Sequence, residues 1–399
     1  MPLELTTAGE SHGRETVAIL SGIPAGLRLD REAIDRELAR RQHGHGRGGR
    51  QKIERDRVEV RGGLRAGTTL GSPLLLAIPN RDWENWAEVM DPWVVDPARA
   101  GRKRVTTPRP GHADLAGAWK YGLQADLRDV LERASARETA ARVAAGAVCR
   151  QLLSVAGVEL RSGVLALGGT ELLAGPPCWD DLSRVDDTSP LRSVAPAREA
   201  ELVARVDDAK RAGDTLGGVV GVIARGVPPG LGTYVRWDER LDGLLAQAVM
   251  SVPAVKAVAI GAGVEAAARP GSLAHDPVVP GRAGLRRASN HAGGIEGGVA
   301  NGEDVVVRAF MKPISTLRDP LPSVDLSTGE ARPAAYERSD VTAVPACGVI
   351  VEAMVAFVLA RALLAAFGGA TVEDSVAALE RFRHRLGPLG PEGFVDPGR

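Results

Sequence analysis

Two histidines lie in short stretches that are rich in glycine, arginine and acidic residues. His12 is part of Gly-Glu-Ser-His-Gly-Arg (9–14), and His112 is part of Arg-Pro-Gly-His-Ala-Asp (109–114). A third such stretch, Glu-Arg-Ser-Asp, covers 337–340. Imidazole exchanges protons near neutral pH, and guanidinium groups bind phosphate and carboxylate in a bidentate way. Together the three stretches predict a site where proton transfer acts on an anionic, phosphorylated substrate.

The basic, glycine-rich stretch over 40–50 contains three further candidates for anion binding: Arg41, Arg47 and Arg50. If this stretch is a flexible loop, it would close over a bound anion and exclude water. Its Gly-x-Gly-x-x-Gly spacing follows a helix instead of a strand, which argues against a dinucleotide-binding turn. An RNA-contacting arm and a solvated loop remain as alternatives. His43 and His45 lack a third ligand at a convincing spacing, so we expect no metal.

Composition limits the class of protein. The 399 residues are 44% hydrophobic and carry 50 basic and 50 acidic side chains, which is typical of a globular chain and argues against a nucleic-acid coat. Three cysteines without Cys-x-x-Cys spacing indicate a reducing compartment. The first residues show no export signal, so we expect a cytoplasmic protein. The apolar stretch 348–369 is interrupted by Glu352 and Arg361, which favours a buried helix over a membrane span.

The coarse element pattern alternates strands and helices. Apolar runs bounded by glycine or proline predict strands at 17–20, 58–60, 74–78, 219–223 and 305–307. The Ser-x-x-Glu spacing at 135–138 is that of a capping box and predicts a helix start with free backbone N–H groups. Gly-Ile-Pro-Ala-Gly-Leu (22–27) and Gly-Val-Pro-Pro-Gly-Leu (226–231) suggest an internal duplication, although turns reuse Gly and Pro for ordinary dihedral reasons. Residues 387–399 are expected to form a loose tail.

Six motifs resemble those of the chorismate synthase family and occur in the family's order: Gly9–Gly13, Arg109–Asp114, Arg133–Thr139, Gly293–Gly298, Lys312–Thr316 and Arg338–Asp340. The resemblance spans about residues 3–368. It implies one domain over residues 1–399 of the α+β class, a β-α-β sandwich of antiparallel sheets and helices. It also implies a homotetramer that converts 5-enolpyruvylshikimate-3-phosphate to chorismate and phosphate, using reduced FMN without net oxidation or reduction.

The resemblance also implies roles for individual residues. It places the catalytic His12 near the departing phosphate, His112 near the reduced flavin, and Asp340 beside flavin N5, where it helps to take the ring proton. The implied substrate contacts are Arg41, Arg47, Arg50, Arg109, Arg137 and Arg338. The implied flavin contacts are Arg133, Ala134, Ser135, Pro253, Ala254, Gly297, Lys312, Pro313, Ile314, Ser315, Thr316 and Arg338.

Some positions depart from the family pattern. Pro253 stands where an amide side chain is usual, and Ala-Val-Ala at 257–259 replaces Gly-Val-Glu, so we expect a side-chain hydrogen bond to FMN to be missing. Gln42 stands where a third consecutive arginine is common and removes one positive charge from the 40–50 stretch. Two routes to reduced flavin also remain: NADPH acting through this chain, or a separate flavin reductase. The leading alternative function is a flavin-dependent oxidoreductase acting on an acidic phosphorylated metabolite. An RNA-binding protein is disfavoured by the zero net charge.

Overall fold

The computed structural model describes residues 2–48, 55–337 and 340–395. Within these ranges the strands are β1 (Glu4–Ala8), β2 (Glu15–Ser21), β3 (Glu59–Gly62), β4 (Leu64–Arg65), β5 (Thr68–Thr69), β6 (Leu74–Pro79), β7 (Glu159–Leu167), β8 (Thr170–Glu171), β9 (Gly218–Arg225), β10 (Val255–Ile260), β11 (Val278–Pro280), β12 (Leu285–Arg287), β13 (Ile295–Glu296), β14 (Val299–Ala300), β15 (Val305–Met311), β16 (Pro322–Val324) and β17 (Ala331–Pro333). All five predicted strands are confirmed, with shifts of a few residues at their ends.

The α-helices of the described residues are α1 (Arg31–Gln42), α2 (Ala87–Met90), α3 (Pro97–Lys103), α4 (Asp114–Tyr121), α5 (Arg128–Ala134), α6 (Thr139–Val155), α7 (Trp179–Ser183), α8 (Glu199–Ala212), α9 (Leu241–Met250), α10 (Val264–Ala267), α11 (Gly271–Ala274), α12 (Val344–Phe367) and α13 (Val372–Leu386). Short 3-10 turns cover Arg81–Asn85 and Ala136–Glu138 in the neighbourhood of the site.

Two antiparallel sheets enclose a layer of helices. One sheet has the strand order β1-β2-β6-β3, and the other has the order β10-β15-β9-β7-β8. Helix α6 packs against β2 and β6 of the first sheet and against β7 of the second, while α12 packs against β7 and β9. Each sheet therefore buries one face on the shared helical layer. This arrangement is the predicted β-α-β sandwich.

The two halves of the sandwich have the same topology. The first half runs β1, β2, α1, β3, β6 and α6, and the second runs β7, β9, α9, β10, β15 and α12, with equivalent strands in the same sheet order. The two similar glycine turns follow β2 and β9. In the first turn Gly26 N–H donates to Thr69 O at 3.0 Å, and in the second Gly230 N–H donates to Ala300 O at 2.8 Å. The structure thus supports the predicted duplication at the level of topology.

The centre of the helical layer is the contact between α6 and α12. Gly146 of α6 lies directly against Ala353 of α12, because a Cβ on Gly146 would be 2.4 Å from the Cβ of Ala353. Helix α12 is the buried helix that the sequence predicts, and it ends at Phe367. It is long and apolar enough to cross a membrane, but most of it is buried inside the protein, as in the core helix of a globular fold.

Two local predictions need correction. The capping box at 135–138 is incomplete: Ser135 Oγ accepts from the backbone N–H of Arg137 at 3.3 Å, but the Glu138 carboxylate bonds to Thr7 and Arg142, and a 3-10 turn precedes α6. Nor is the C-terminal segment loose over its described part, residues 387–395. Phe394 is buried in the core, and the backbone of this segment hydrogen-bonds to Leu285.

Candidate functional site

One cavity brings most of the predicted site residues together. Its volume is 1090 Å³, and it is bordered by His12, His112 and Asp340. The predicted substrate and flavin contacts that also line it are Arg41, Arg47, Arg109, Arg137, Ala134, Ser135, Pro253, Ala254, Lys312, Pro313, Ile314, Ser315 and Thr316. Segments more than 300 residues apart in the chain therefore meet at one site.

His12 is held by the last turns of α5. Its backbone N–H donates to Glu132 Oε2 at 2.8 Å, and its Nδ1 lies 2.8 Å from Glu132 Oε1. The backbone N–H of Ser11 donates to the carbonyl oxygen of Glu132 at 2.9 Å. On the other side of the loop, the side chain of Asn80 donates to the carbonyl oxygen of Gly13 at 2.7 Å. The loop that carries His12 is thereby fixed from both ends.

Glu132 decides which nitrogen of His12 carries a proton. Burial alone would raise the pKa of Glu132, but hydrogen bonds from His12 and the charge of Arg128 outweigh burial and lower the pKa. Arg128 Nη1 donates to Glu132 Oε1 at 3.1 Å. An ionised carboxylate only accepts hydrogen bonds, so Nδ1 of His12 must be the donor. Exchange of a proton with a ligand then falls to Nε2.

His112 has the same kind of support. Its Nδ1 lies 2.5 Å from Asp114 Oδ1, and Arg109 donates to both oxygens of Asp114, from Nε at 2.8 Å and from Nη2 at 3.0 Å. Burial raises the pKa of Asp114, but the hydrogen bonds from His112 and Arg109 lower it by more, so the carboxyl stays ionised. Each histidine thus belongs to an arginine–carboxylate–histidine chain that is bonded through Nδ1, and at His112 the Arg109 Nη2 atom also lies 3.4 Å from Nε2.

Three arginines share two carboxylates on another wall of the cavity. Arg137 donates to Asp56 Oδ1 at 2.6 Å, and Arg41 donates to Asp56 Oδ2 at 3.3 Å. Arg47 lies 2.5 Å from Asp340. Burial lowers the pKa of Arg41 to about 10; Asp56 opposes this shift, whereas the charges of Arg137 and Arg47 add to it. The guanidinium groups therefore repel one another, and a bound anion would relieve that repulsion.

The predicted flavin contacts form three backbone segments on the cavity wall. Residues 134–135 end α5, residues 253–254 follow α9, and residues 312–316 follow β15. Gly111 has φ +80°, and a Cβ there would lie 3.0 Å from Lys312 Nζ. Lys312 Nζ donates to the carbonyl oxygen of Gly111 at 2.5 Å. Glycine at 111 thus allows the His112 turn and the 312–316 segment to approach closely.

Two predicted contacts that the structure describes, Arg133 and Gly297, do not line this cavity. Two others, Arg50 and Arg338, lie outside the described residues. Arg133 donates to the carbonyl oxygens of Thr7 and Gly9, away from the cavity wall. Gly297 sits in the turn between β13 and β14, beside the start of α9, whereas 253–254 lie beyond its end. The ten residues of α9 span about 15 Å, which separates Gly297 from the flavin segments of its own chain.

The predicted flexible loop also needs correction. Arg41 is not a loop residue: it lies in the last turn of α1 and is 5% exposed. Residues 43–48 make fixed contacts, among them the backbone N–H of Gly48 to Asp340 Oδ1 at 2.6 Å. Arg40 and Arg41 both lie in the last turn of α1, where positive side chains interact favourably with the negative end of the helix dipole. This pattern in the sequence could have placed Arg41 in the helix.

Several residues that build the site were not predicted. They are Asp56, Asn80, Trp86, Lys103, Arg128 and Glu132, which either line the cavity or hold a residue that does. The spacing of Arg128 and Glu132, four positions apart on a helix, was a local signal for an ion pair. The others could not be found by spacing, because their partners lie far away in the chain.

A second cavity of 540 Å³ lies between α1, α6 and β7. No predicted site residue that the structure describes lines it. Two of its arginines contact two carboxylates each: Arg40 pairs with Asp187 and Glu352, and Arg150 pairs with Glu37 and Glu352. We interpret this cluster as an ion-pair network that joins α1, α6 and α12.

The main cavity carries a surplus of positive charge. In the described chain its wall has nine basic side chains, Arg41, Arg47, Arg102, Lys103, Arg104, Arg109, Arg128, Arg137 and Lys312, and three acidic ones, Asp82, Glu337 and Asp340. Fold and site together define an α+β protein with a positively charged cavity and two histidines that are bonded to buried carboxylates.

Comparison with known proteins gives the family. The family model for chorismate synthase matches residues 3–364. A chorismate synthase of Thermus thermophilus is 54% identical over 387 residues, and the match covers 96% of this chain and 99% of that protein. A chorismate synthase of Mycolicibacterium smegmatis is 51% identical over 394 residues, and the match covers 98% of each chain. A crystal structure of chorismate synthase superposes with a TM-score of 0.77 at 40% identity and covers 97% of this chain and 99% of its own. The chain belongs to the chorismate synthase family.

Proposed function

We propose that the chain converts 5-enolpyruvylshikimate-3-phosphate to chorismate and phosphate in the shikimate pathway, as a carbon–oxygen lyase. The observation that carries this proposal is the meeting of two supported histidines with an arginine cluster in one cavity. The reaction must bind a phosphate and two carboxylates, release the phosphate and remove a ring proton. Guanidinium groups bind such oxyanions in a bidentate way, and imidazole and carboxylate groups transfer protons.

We propose that the cavity holds a flavin beside the substrate. Its volume of 1090 Å³ lies above the range of about 300–1,000 Å³ that is typical of pockets for one small ligand. Met311, Ile314, Ala343 and Ile350 give one part of the wall an apolar surface suited to a flat ring. The residues that would hold FMN are Ala134, Ser135, Pro253, Ala254, Lys312, Pro313, Ile314, Ser315 and Thr316, with Arg338. Reduced FMN, when bound, supplies an electron transiently and recovers it.

The arginines orient the substrate in this proposal. Three guanidinium groups lie together around two carboxylates, those of Arg41, Arg47 and Arg137. Oxyanions of the substrate would form ion pairs with these groups and reduce the repulsion among them. As an imidazolium, with both ring nitrogens protonated, His12 then offsets the charge that develops on the departing phosphate through the proton on Nε2. His112 would supply a proton beside the flavin.

We propose that Asp340 lies beside flavin N5 and helps to take the ring proton, and that its ion pair with Arg47 makes this role depend on substrate. Arg47 contacts Oδ2 of Asp340, and the backbone N–H of Gly48 donates to Oδ1. We therefore propose that a substrate oxyanion, by taking Arg47, frees Oδ2 of Asp340 for proton transfer.

The assembly and location are also proposals. We propose a homotetramer, in which Gly297 and Arg133 reach the flavin of a neighbouring subunit, since they do not reach the cavity of their own. We further propose a cytoplasmic enzyme whose partners are small molecules, with neither nucleic acid nor membrane among them. FMN is reduced by NADPH through this chain or by a separate flavin reductase.

An anaerobic assay tests the proposed function. Purified protein is mixed with photoreduced FMN and 5-enolpyruvylshikimate-3-phosphate, and phosphate and chorismate are measured together. We expect equal amounts of both products and many turnovers per reduced flavin. Consumption of one reduced flavin, a two-electron donor, for each molecule of product would instead indicate the flavin-dependent oxidoreductase. Absence of both products with FMN bound would refute the proposal.

A further inference from the structure

Trp86 lies against His12 in the wall of the cavity. The two rings stack with centroids 3.9 Å apart and an interplanar angle of 22°. Trp86 is 8% exposed, and its Nε1 donates to Asp82 Oδ2 at 3.0 Å, which fixes the plane of the indole. Lys103 Nζ lies 4.5 Å from the same ring. The indole is therefore held independently of His12.

Glu132 restrains His12 at its edge. Both carboxylate oxygens are used, one by the backbone N–H and one by Nδ1 of His12, and Glu132 is 2% exposed. Arg128 holds Glu132 in turn and also donates to the carbonyl oxygen of Lys103 and to Glu337 Oε1. Stacking fixes the plane of an imidazole, and a bond at Nδ1 fixes its rotation within that plane. The two restraints together leave one orientation for Nε2.

We propose that Trp86 and Glu132 form a clamp that positions His12 for proton transfer to the departing phosphate. They are positioning residues, because they act through His12. His112 has an equivalent carboxylate but no ring stacked on it among the described residues. The clamp therefore marks His12 as the histidine whose orientation limits the reaction. The inference rests on the proposed function for its kinetic consequence, but its structural part can be tested without activity.

Kinetics of four variants test the clamp. Trp86→Leu removes the flat ring, and we expect kcat to fall about 100-fold, the effect of a displacement of about 1 Å at a reacting group. Trp86→Phe keeps a flat ring and should remain within about threefold of wild type. Glu132→Gln offers one acceptor and one donor in place of two acceptors, so it breaks one bond to His12 and should also lower kcat about 100-fold. Asp129→Asn, an exposed change on the same helix, is the control and should leave kcat unchanged.

Two further readouts separate positioning from a general structural effect. The Kd of the substrate with oxidised FMN present should stay within about threefold of wild type in all four variants. The clamp would be overturned if substrate binding weakened by the same factor as kcat. It would also be overturned if Trp86→Leu and Trp86→Phe had the same kcat.

Nitrogen NMR of histidine-labelled wild-type protein without ligands should show neutral His12 protonated at Nδ1. Protonation at Nε2 would contradict the bond to Glu132. If wild type makes no chorismate, the proposed function fails and the NMR result alone decides the clamp.

Discussion

Gly146→Ala is the sharpest test of the packing that holds the two halves of the fold together. The added Cβ would lie 2.4 Å from Ala353 Cβ, 2.6 Å from Ala353 Cα and 2.8 Å from Ala353 O. Unstrained carbon contacts lie at about 3.5–4.0 Å, so α6 and α12 must separate by about 1 Å. Two of the three atoms belong to the backbone of a buried helix and cannot turn aside.

The expected loss follows from two opposing effects. Overpacking of this kind costs about 3 kcal/mol at the upper end of its range. Replacing glycine by alanine inside a helix recovers about 1 kcal/mol. The net destabilisation is thus about 2 kcal/mol. With an unfolding entropy of about 2.1 cal/mol/K per residue over the chain, Tm should fall by roughly 2–3 °C.

The matched control is Gly243→Ala on the exposed face of α9. The nearest atom to a Cβ there is Arg240 Cβ at 4.0 Å, so only the helix propensity changes and stability should rise by up to about 1 kcal/mol. Thermal unfolding of wild type and both variants, followed by circular dichroism at one protein concentration, gives the comparison. If Gly146→Ala melts at or above wild type, the close contact of α6 and α12 is refuted.

Three further substitutions test the site and its surroundings. Hydrogen bonds from His112 and Arg109 hold the pKa of Asp114 low in the folded protein. The stability that ionised Asp114 contributes is therefore complete above its pKa in the unfolded chain, about 4, and is lost as the pH falls below that value. Asp114→Asn should therefore flatten the decline of Tm in acid; an unchanged decline in calorimetry would show that Asp114 is not the group involved. Arg41→Lys removes the planar fork and should weaken binding of the substrate about tenfold by isothermal titration calorimetry, and equal affinity would contradict its contact with an oxyanion. Glu352→Gln removes one of the carboxylates that Arg40 and Arg150 contact, while Asp187 and Glu37 remain, and should cost about 1.5–3 kcal/mol in urea unfolding; a change below about 0.5 kcal/mol would contradict the ion-pair network.

The strands and the histidine motifs were predictable because their signals are local. A run such as 74–78 is apolar without interruption and becomes a strand in the middle of a sheet. The two similar glycine turns pointed to the duplication, since each turn needs left-handed glycines at the same positions. The resemblance to the family supplied what the residues alone did not, namely that 12, 112 and 340 meet in one cavity.

The clamp and the arginine cluster were not predictable from spacing. His12 meets Glu132 across 120 positions, and Arg137 meets Asp56 across 81. Such contacts depend on how the sheets and helices pack, which a local pattern does not specify. The capping box at 135–138 failed for the same reason, because tertiary partners of Glu138 outweighed a local bond.

The most direct test of the central claim is a crystal structure of the protein with 5-enolpyruvylshikimate-3-phosphate and oxidised FMN. We expect the phosphate within hydrogen-bond distance of His12 and of the cluster formed by Arg41, Arg47 and Arg137, with the flavin ring against 312–316. We also expect Arg47 to have left Asp340 for the ligand. Ligand density elsewhere, with this cavity unfilled, would contradict the account.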